Sequence, residues 1–376
     1  MKKTLCCLLA TAWLAGCSMK EDGLAPADVS AAPAAAGTGG QAGVLTAGEW
    51  SDLRNWPFWQ SVLKRQEWAT FPKEWQLYPS QRYTITLTTP TGQPLAGARV
   101  ALSGAPGVNE AVTDRLGRAV LFPALFQPGA IGAPLPVQVS YQGQTFAPAP
   151  LAATEYEATR TVAAAPVPAT AVDIMFVVDA TGSMGDEISY LKTELRDVVN
   201  RVQARVPAAD LRLASVFYRD HGDDYLTRAQ PFTPNVNQLM TFVQAQDAGG
   251  GGDFPEAVDE ALTTALQQAW SSEARCRLLF LILDAPPHPE AVARIQALTR
   301  AAASQGIRLI PVTASGIDTS TEFLMRTLAL STNGTYVFIT NHSGIGNAHL
   351  EPTVGAYQVE YLNNLLVRLI TEHSQL

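Results

Sequence analysis

The apolar positions of this chain change pattern along its length, and the second half carries the stronger pattern. Val172 to Val178 is an apolar run of the kind a strand buried on both faces shows. Beyond it Ile188, Leu191, Leu195, Val198, Val202 and Val206 repeat at the helical period, which predicts a helix over 186–206. Apolar runs at 211–218, 278–283, 307–312 and 335–339 predict further strands. Helical spacing fits 255–270, 289–304, 319–330 and 359–371. Strands alternating with helices imply a doubly wound α/β fold with a largely parallel sheet, assigned to residues 166–376.

Residues 81–165 read differently. Tyr83 to Thr89 alternate like a strand, and Pro90 to Pro94 form a turn cluster. Ala98–Leu102, Val120–Phe122 and Leu135–Tyr141 predict more short strands, with Asp114 and Gly117 at a hairpin before Val120. Short strands with Gly and Pro turns predict a small all-β sandwich. The run from Gly92 to Val100, with Thr113, Asp114 and Gly117, is similar to carboxypeptidase-regulatory-like or prealbumin-like modules. That resemblance implies a spacer or adhesive module, and no catalytic set accompanies it. Before it, residues 44–80 hold five of the seven tryptophans, at 50, 56, 59, 68 and 75. With Phe58 and Leu63 they predict a Trp-rich helical segment, either a collar packed on the next domain or an exposed aromatic platform for a partner or sugar.

The first 43 residues are neither. Lys2 and Lys3 precede a short apolar stretch, Leu5–Leu14, too short to span a bilayer. Leu14-Ala15-Gly16-Cys17 follows and resembles the bacterial lipobox. The resemblance implies a signal peptide over 1–16, acylation of Cys17, and stable anchoring by several acyl chains on one residue. Ser18 after the cysteine, where Asp would stand otherwise, implies the outer membrane of a Gram-negative-type envelope. Residues 17–43 are rich in Ala, Pro and Gly without periodicity and predict a flexible tether. Cysteine usage agrees: Cys6 and Cys7 leave with the leader and Cys17 is acylated. Cys276 then stands alone, opening an apolar run as core filler.

Charged residues make up only 16% of the chain and the net charge is −8, without a basic stripe. This argues against nucleic acid as the main partner. In a doubly wound sheet, ligands bind beyond the carboxyl ends of the strands, so the residues after each strand are the candidates. Asp179-Ala180-Thr181-Gly182-Ser183 follows the first strand, and Asp284 follows the strand at 278–283. Between them Asp247 to Glu256 is a glycine-rich loop entering a helix and containing Asp253. Carboxylates and hydroxyls from three loops form a hard oxygen set suited to Mg²⁺ or Mn²⁺, with positions left for water or a partner's carboxylate.

Asp179-x-Thr181-x-Ser183 resembles the Asp-x-Ser-x-Ser motif of the metal-ion-dependent adhesion site in von Willebrand factor A domains. Thr181 keeps the hydroxyl of the first Ser, and Asp284 matches the family's acid after the fourth strand. The resemblance implies metal ligation by Asp179, Thr181, Ser183 and Asp284. The family's middle Thr is missing; Asp253 stands nearest its place, and its charge would tighten metal binding while weakening the pull on an incoming carboxylate. The competing reading is local: Asp179, Thr181 and Ser183 are all good helix N-caps.

Asp220, His221, His288, Asn341, Asn347 and His349 fall on the same face, either as a rim that a partner reads or as solvated turns. His288, His342 and His349 offer imidazoles for zinc, but no spacing ties them together. Enzyme signatures are missing: Gly249–Gly252 lacks the Lys-Ser/Thr of a phosphate loop, and Gly182-Ser183-Met184-Gly185 lacks nucleophile-elbow spacing. Asp179-Ala180-Thr181 lacks the second Asp of haloacid-dehalogenase phosphatases. The expectation is a lipid-anchored envelope protein, not an enzyme, that grips a protein ligand presenting a carboxylate through Mg²⁺ or Mn²⁺. The alternative is a metal-dependent hydrolase or a chelatase-like subunit acting with an ATPase.

Overall fold

A strand of residues 46–50, far from the α/β half in sequence, completes that half's sheet. The computed structural model describes residues 44–343 and 348–375. The chain runs β1 (Thr46–Trp50), α1 (Trp56–Val62), α2 (Phe71–Glu74), β2 (Tyr83–Thr88), β3 (Arg99–Leu102), β4 (Glu110–Val112) and β5 (Arg118–Leu121). It continues through β6 (Val137–Tyr141), β7 (Gln144–Phe146), β8 (Glu157–Thr161), β9 (Ala171–Asp179), α3 (Gly185–Arg205), β10 (Asp210–Tyr218), β11 (Thr227–Thr233) and α4 (Val236–Gln244). Last come α5 (Val258–Leu266), β12 (Cys276–Leu283), α6 (Val292–Gln305), β13 (Ile307–Thr313), α7 (Thr319–Ser331), β14 (Tyr336–Ile339), β15 (Glu360–Tyr361) and α8 (Leu362–Ser374). None of the helices among the described residues is long and apolar enough to cross a membrane. The leader, the tether and Cys17 lie outside the described residues, as does Asn347.

The main sheet has eight strands in the order β11-β10-β9-β12-β13-β14-β1-β15. Its five central strands are parallel, and both edges are antiparallel. The wholly buried β12 and nearly buried β9 explain the apolar runs read from sequence. Two apolar layers cover the faces: α3 and α8 contribute Leu195 and Leu366 on one side, and α5, α6 and α7 contribute Leu262, Ile295 and Leu328 on the other. Strands leave β9 in both directions, so the chain has a topological switch point at its carboxyl end.

Residues 44–80 correct the sequence reading. Their first turn is not helical. Thr46–Trp50 pairs with β14 over four residues and with β15 over two. The edge of β14 is therefore covered, which removes a template for unwanted strand pairing. The tryptophans form a collar and not an exposed platform: Trp50, Trp59, Trp68 and Trp75 are all buried. The collar packs on α7 of the α/β body. Trp59 stacks on Phe323 with ring centroids 6.1 Å apart, and Trp75 Nε1 donates to Ser320 Oγ at 2.8 Å. At its centre Arg326 has no solvent exposure. It donates to both carboxylate oxygens of Asp52 at 2.6 and 2.8 Å and to Glu322 at 2.9 Å, and lies over the rings of Trp59 and Trp68.

Between the collar and β9 in sequence, residues 83–161 form two small sheets, β5-β2-β8 and β4-β3-β6-β7, sharing one apolar cluster that includes Ile85, Val100, Leu121 and Val139. The turn at Asp114–Gly117 forms, with Gly117 N–H donating to Asp114 O at 2.8 Å. It does not make a hairpin, because β4 pairs with β3 while β5 pairs with β2. The turn hands the chain from one sheet to the other. Arg300 of α6 ties this region to the α/β body by donating to the carbonyls of Pro106 and Gly107 at 2.7 and 3.2 Å.

Candidate metal centre

Asp179 ends β9, where the parallel ladder brings it beside Tyr218 at the end of β10. It is fully buried. Its Oδ1 accepts the Thr181 N–H at 2.9 Å and the Thr181 hydroxyl at 2.8 Å, and Thr181 Oγ1 lies 3.4 Å from Ser183 Oγ. This closes a tight turn around the motif. The capping alternative does not hold for α3: its N-cap position is Met184, and no side chain caps it. The three motif side chains therefore fold around one another.

The glycine loop lies along that turn. Gly182 N–H donates to Gly250 O at 3.1 Å and Gly249 N–H donates to Ala180 O at 3.0 Å. Gly250 has φ +77°, and a Cβ there would sit 2.3 Å from the Asp223 carboxylate, so glycine is required on both counts. A Cβ on Gly251 would meet Glu256 Oε1 at 2.8 Å and Thr181 Cβ at 3.2 Å. Thr181 and Glu256 thus face one small space. Glu256 is held there by its backbone: its N–H donates to Pro286 O at 2.9 Å, in a bridge to the segment that follows Asp284.

Asp284 follows β12 and is buried. Glu187, in the first turn of α3, is buried, accepts the Ser315 hydroxyl at 2.7 Å and acts on Asp284 through its charge. The electrostatics of the cluster are strained. Burial, then the charge of Asp284, raise the Asp179 pKa from an ordinary 3.8 to about 7. Burial, then the charges of Asp179, Asp220, Asp284 and Asp223, raise Glu256 to about 9. Burial also raises Asp284, against the opposing effect of the Ser183 hydroxyl. Asp179 Oδ2, Asp284 Oδ1 and Glu256 Oε2 are each buried without a hydrogen-bond partner, and the Tyr218 hydroxyl, also unpartnered, stands beside Asp179 and works against the rise in its pKa. Orphaned carboxylate oxygens carry a heavy desolvation cost. Oxygen donors only, three of them acidic, fit a hard divalent cation.

A sequence comparison decides what this domain is. Residues 173–348 match the von Willebrand factor A domain family. The chain carries a von Willebrand factor A domain. Such domains commonly mediate protein–protein interaction, and many bind a divalent metal. The chain is 32% identical over 123 residues to an ariadne-like RING finger protein of Acanthamoeba polyphaga mimivirus, covering 33% of this chain and 12% of that one. It is 29% identical over 119 residues to the alpha-protein kinase vwkA of Dictyostelium discoideum, covering 31% and 19%. It is 28% identical over 155 residues to von Willebrand factor A domain-containing protein 7 of Rattus norvegicus, covering 34% and 17%. The chain thus spans less than a fifth of each of these relatives.

Of the predicted ligands, Asp179, Thr181, Ser183 and Asp284 converge at the carboxyl ends of β9 and β12. Asp253 is placed differently: it is exposed on the loop, and its charge acts on His288. Glu256, three residues later, holds the buried position beside Thr181. The predicted rim divides in two. Asp220, His221 and His288 group together, with His288 Nε2 2.6 Å from Asp220 Oδ1. Asn341 and His349 form a separate pair, with Asn341 Oδ1 accepting the His349 N–H at 2.9 Å. The imagined zinc set of His288, His342 and His349 is not brought together. Sequence reading missed Glu187 and Glu256, both at helix starts where an acid is ordinary.

Proposed function

We propose that this chain is a lipid-anchored cell-envelope protein that binds a protein partner through a divalent cation on its von Willebrand factor A domain, and that it is not itself an enzyme. One observation carries the reading: three buried carboxylates, each with an orphaned oxygen, converge with two hydroxyls at the carboxyl ends of β9 and β12. Asp179, Thr181, Ser183 and Asp284 would hold Mg²⁺ or Mn²⁺, with Glu256 direct or through water. When bound, the cation supplies a Lewis-acid position that an incoming carboxylate completes. Once a bound cation ionises it, Glu256 would add a negative charge, so this protein would hold its ligand more loosely than one with a hydroxyl in that place. The two small sheets over 83–161 act as a carboxypeptidase-regulatory-like adhesive module beside the binding domain, because β1 carries the chain from the tether directly into the main sheet.

Capture of envelope proteins on the immobilised chain tests the partner. Capture is expected in Mg²⁺ and not in chelator, and Asp179→Ala should abolish it. Equal capture in chelator by the wild type would remove the metal from the account. The anchor has its own check, motivated by the lipobox ending at Cys17. Cys17→Ser is expected to move the protein from the membrane to the soluble fraction, and unchanged membrane retention would refute acylation at that residue.

A further inference from the structure

We propose that Asp220, His221 and His288 form a second metal site, for a Zn²⁺-class ion, on the rim of the first. The three side chains come from two loops, after β10 and after β12. One donor atom from each lies within 4.8 Å of the other two. His288 Nε2 is 2.6 Å from Asp220 Oδ1, and the rings of His221 and His288 are 5.5 Å apart at 48°. Zinc bonds to nitrogen and oxygen of 2.0–2.1 Å place tetrahedral donors about 3.3 Å apart. The His288–Asp220 pair is closer than that and no donor pair is farther apart than 4.8 Å, so side-chain shifts on the order of 1 Å bring the donors to it.

The donor set differs in kind from the first site. Two imidazoles and a carboxylate are borderline ligands, which favour Zn²⁺ over Mg²⁺. Three protein ligands leave a fourth position for water or a partner group, the arrangement of open zinc sites. Both loops are fixed from behind. Asp223 Oδ2 accepts the Asp220 N–H at 3.0 Å and the Gly251 N–H at 2.9 Å, tying the Asp220–His221 loop to the glycine loop. His288 follows Pro286 and Pro287, which the Glu256 backbone holds in place. Around this frame acids act on neighbouring groups, Asp253 on His288 and Asp220 on the buried Glu256, while Glu260 is paired with Arg294. A cation here lowers the repulsion that the first site alone leaves on its outer side. The ordinary alternative is a proton: His288 and Asp220 then form an ion pair and His221 is a surface residue.

The test is Zn²⁺ titration of the chelator-stripped full chain in excess Mg²⁺, followed by Co²⁺ substitution. One Zn²⁺ per chain is expected at micromolar metal, and Co²⁺ should give the visible absorption of a four- or five-coordinate ion. His221 is exposed, so His221→Gln removes a ligand without disturbing the core. It and His288→Gln should each weaken Zn²⁺ binding at least roughly tenfold and abolish the Co²⁺ band. Asp179→Ala should bind Zn²⁺ like the wild type, which separates this site from the first. Zn²⁺ binding that is only millimolar, or that His221→Gln leaves unchanged, would overturn the proposal, whatever the outcome for Mg²⁺.

Discussion

Arg326→Ala is expected to destabilise the protein by about 3–5 kcal/mol, with a melting temperature lower by on the order of 10 °C. The reason is asymmetric burial. Arg326, Asp52 and Glu322 are all buried, and Arg326 is the cation that both carboxylates contact. Truncation leaves two buried acids without their counter-charge, and that penalty exceeds any net value of the intact pair. It also removes the guanidinium from between Trp59 and Trp68, 4.8 and 5.2 Å from their ring centroids. The double change Asp52→Asn with Arg326→Met should recover part of the loss, because it leaves one uncompensated buried acid, Glu322, where Arg326→Ala leaves two. Thermal and urea unfolding check this. A loss below about 1 kcal/mol for Arg326→Ala would mean that the collar is not integral to the fold.

Asp179→Ala is expected to raise metal-free stability above neutral pH while abolishing stabilisation by Mg²⁺. Asp179 and Glu256 have folded pKa values of about 7 and about 9, above their ordinary 3.8 and 4.5. The native state therefore holds protons that the unfolded chain releases, so metal-free stability falls as pH rises from about 4 to about 9. A rise from 3.8 to about 7 is worth several kcal/mol once Asp179 is ionised. That exceeds the cost of about 1 kcal/mol for the hydrogen bonds lost to Thr181. Melting curves in chelator should thus show the wild type declining steeply between pH 5 and 8 and the variant declining less. With Mg²⁺ at about a hundred times its Kd, the wild type gains about 2.7 kcal/mol and the variant gains nothing. A simple helix cap predicts the opposite: a loss of about 1 kcal/mol at every pH and no change in metal response.

What the sequence made legible was set by how local each cause is. Five parallel strands were readable because burial on both faces writes a long apolar run. Asp179, Thr181, Ser183 and Asp284 were readable because strand ends fix where a following side chain goes. Thr46–Trp50 was not, because Thr-Ala-Gly-Glu-Trp neither alternates nor repeats; its conformation is dictated by the open edge of β14. Glu256 was passed over for Asp253 because a carboxylate after four glycines looks like a loop ligand. Burial shows which of the two turns inward, and the bridge between Glu256 and Pro287 holds its backbone there. Likewise Asp220, His221 and His288 were read as parts of one diffuse rim. No spacing links residues 221 and 288; what joins them is that β10 and β12 both flank β9. The Asp114–Gly117 turn was correctly placed, but which strands it separates depends on pairings with distant residues.

Calorimetric titration of Mg²⁺ into the chelator-stripped full chain tests the central claim most directly. Wild type is expected to show one saturable site filled at or below millimolar metal, and Asp179→Ala to show none while keeping its fold. No saturable binding by the wild type at millimolar Mg²⁺ or Mn²⁺, or an unchanged isotherm for Asp179→Ala, would contradict the account.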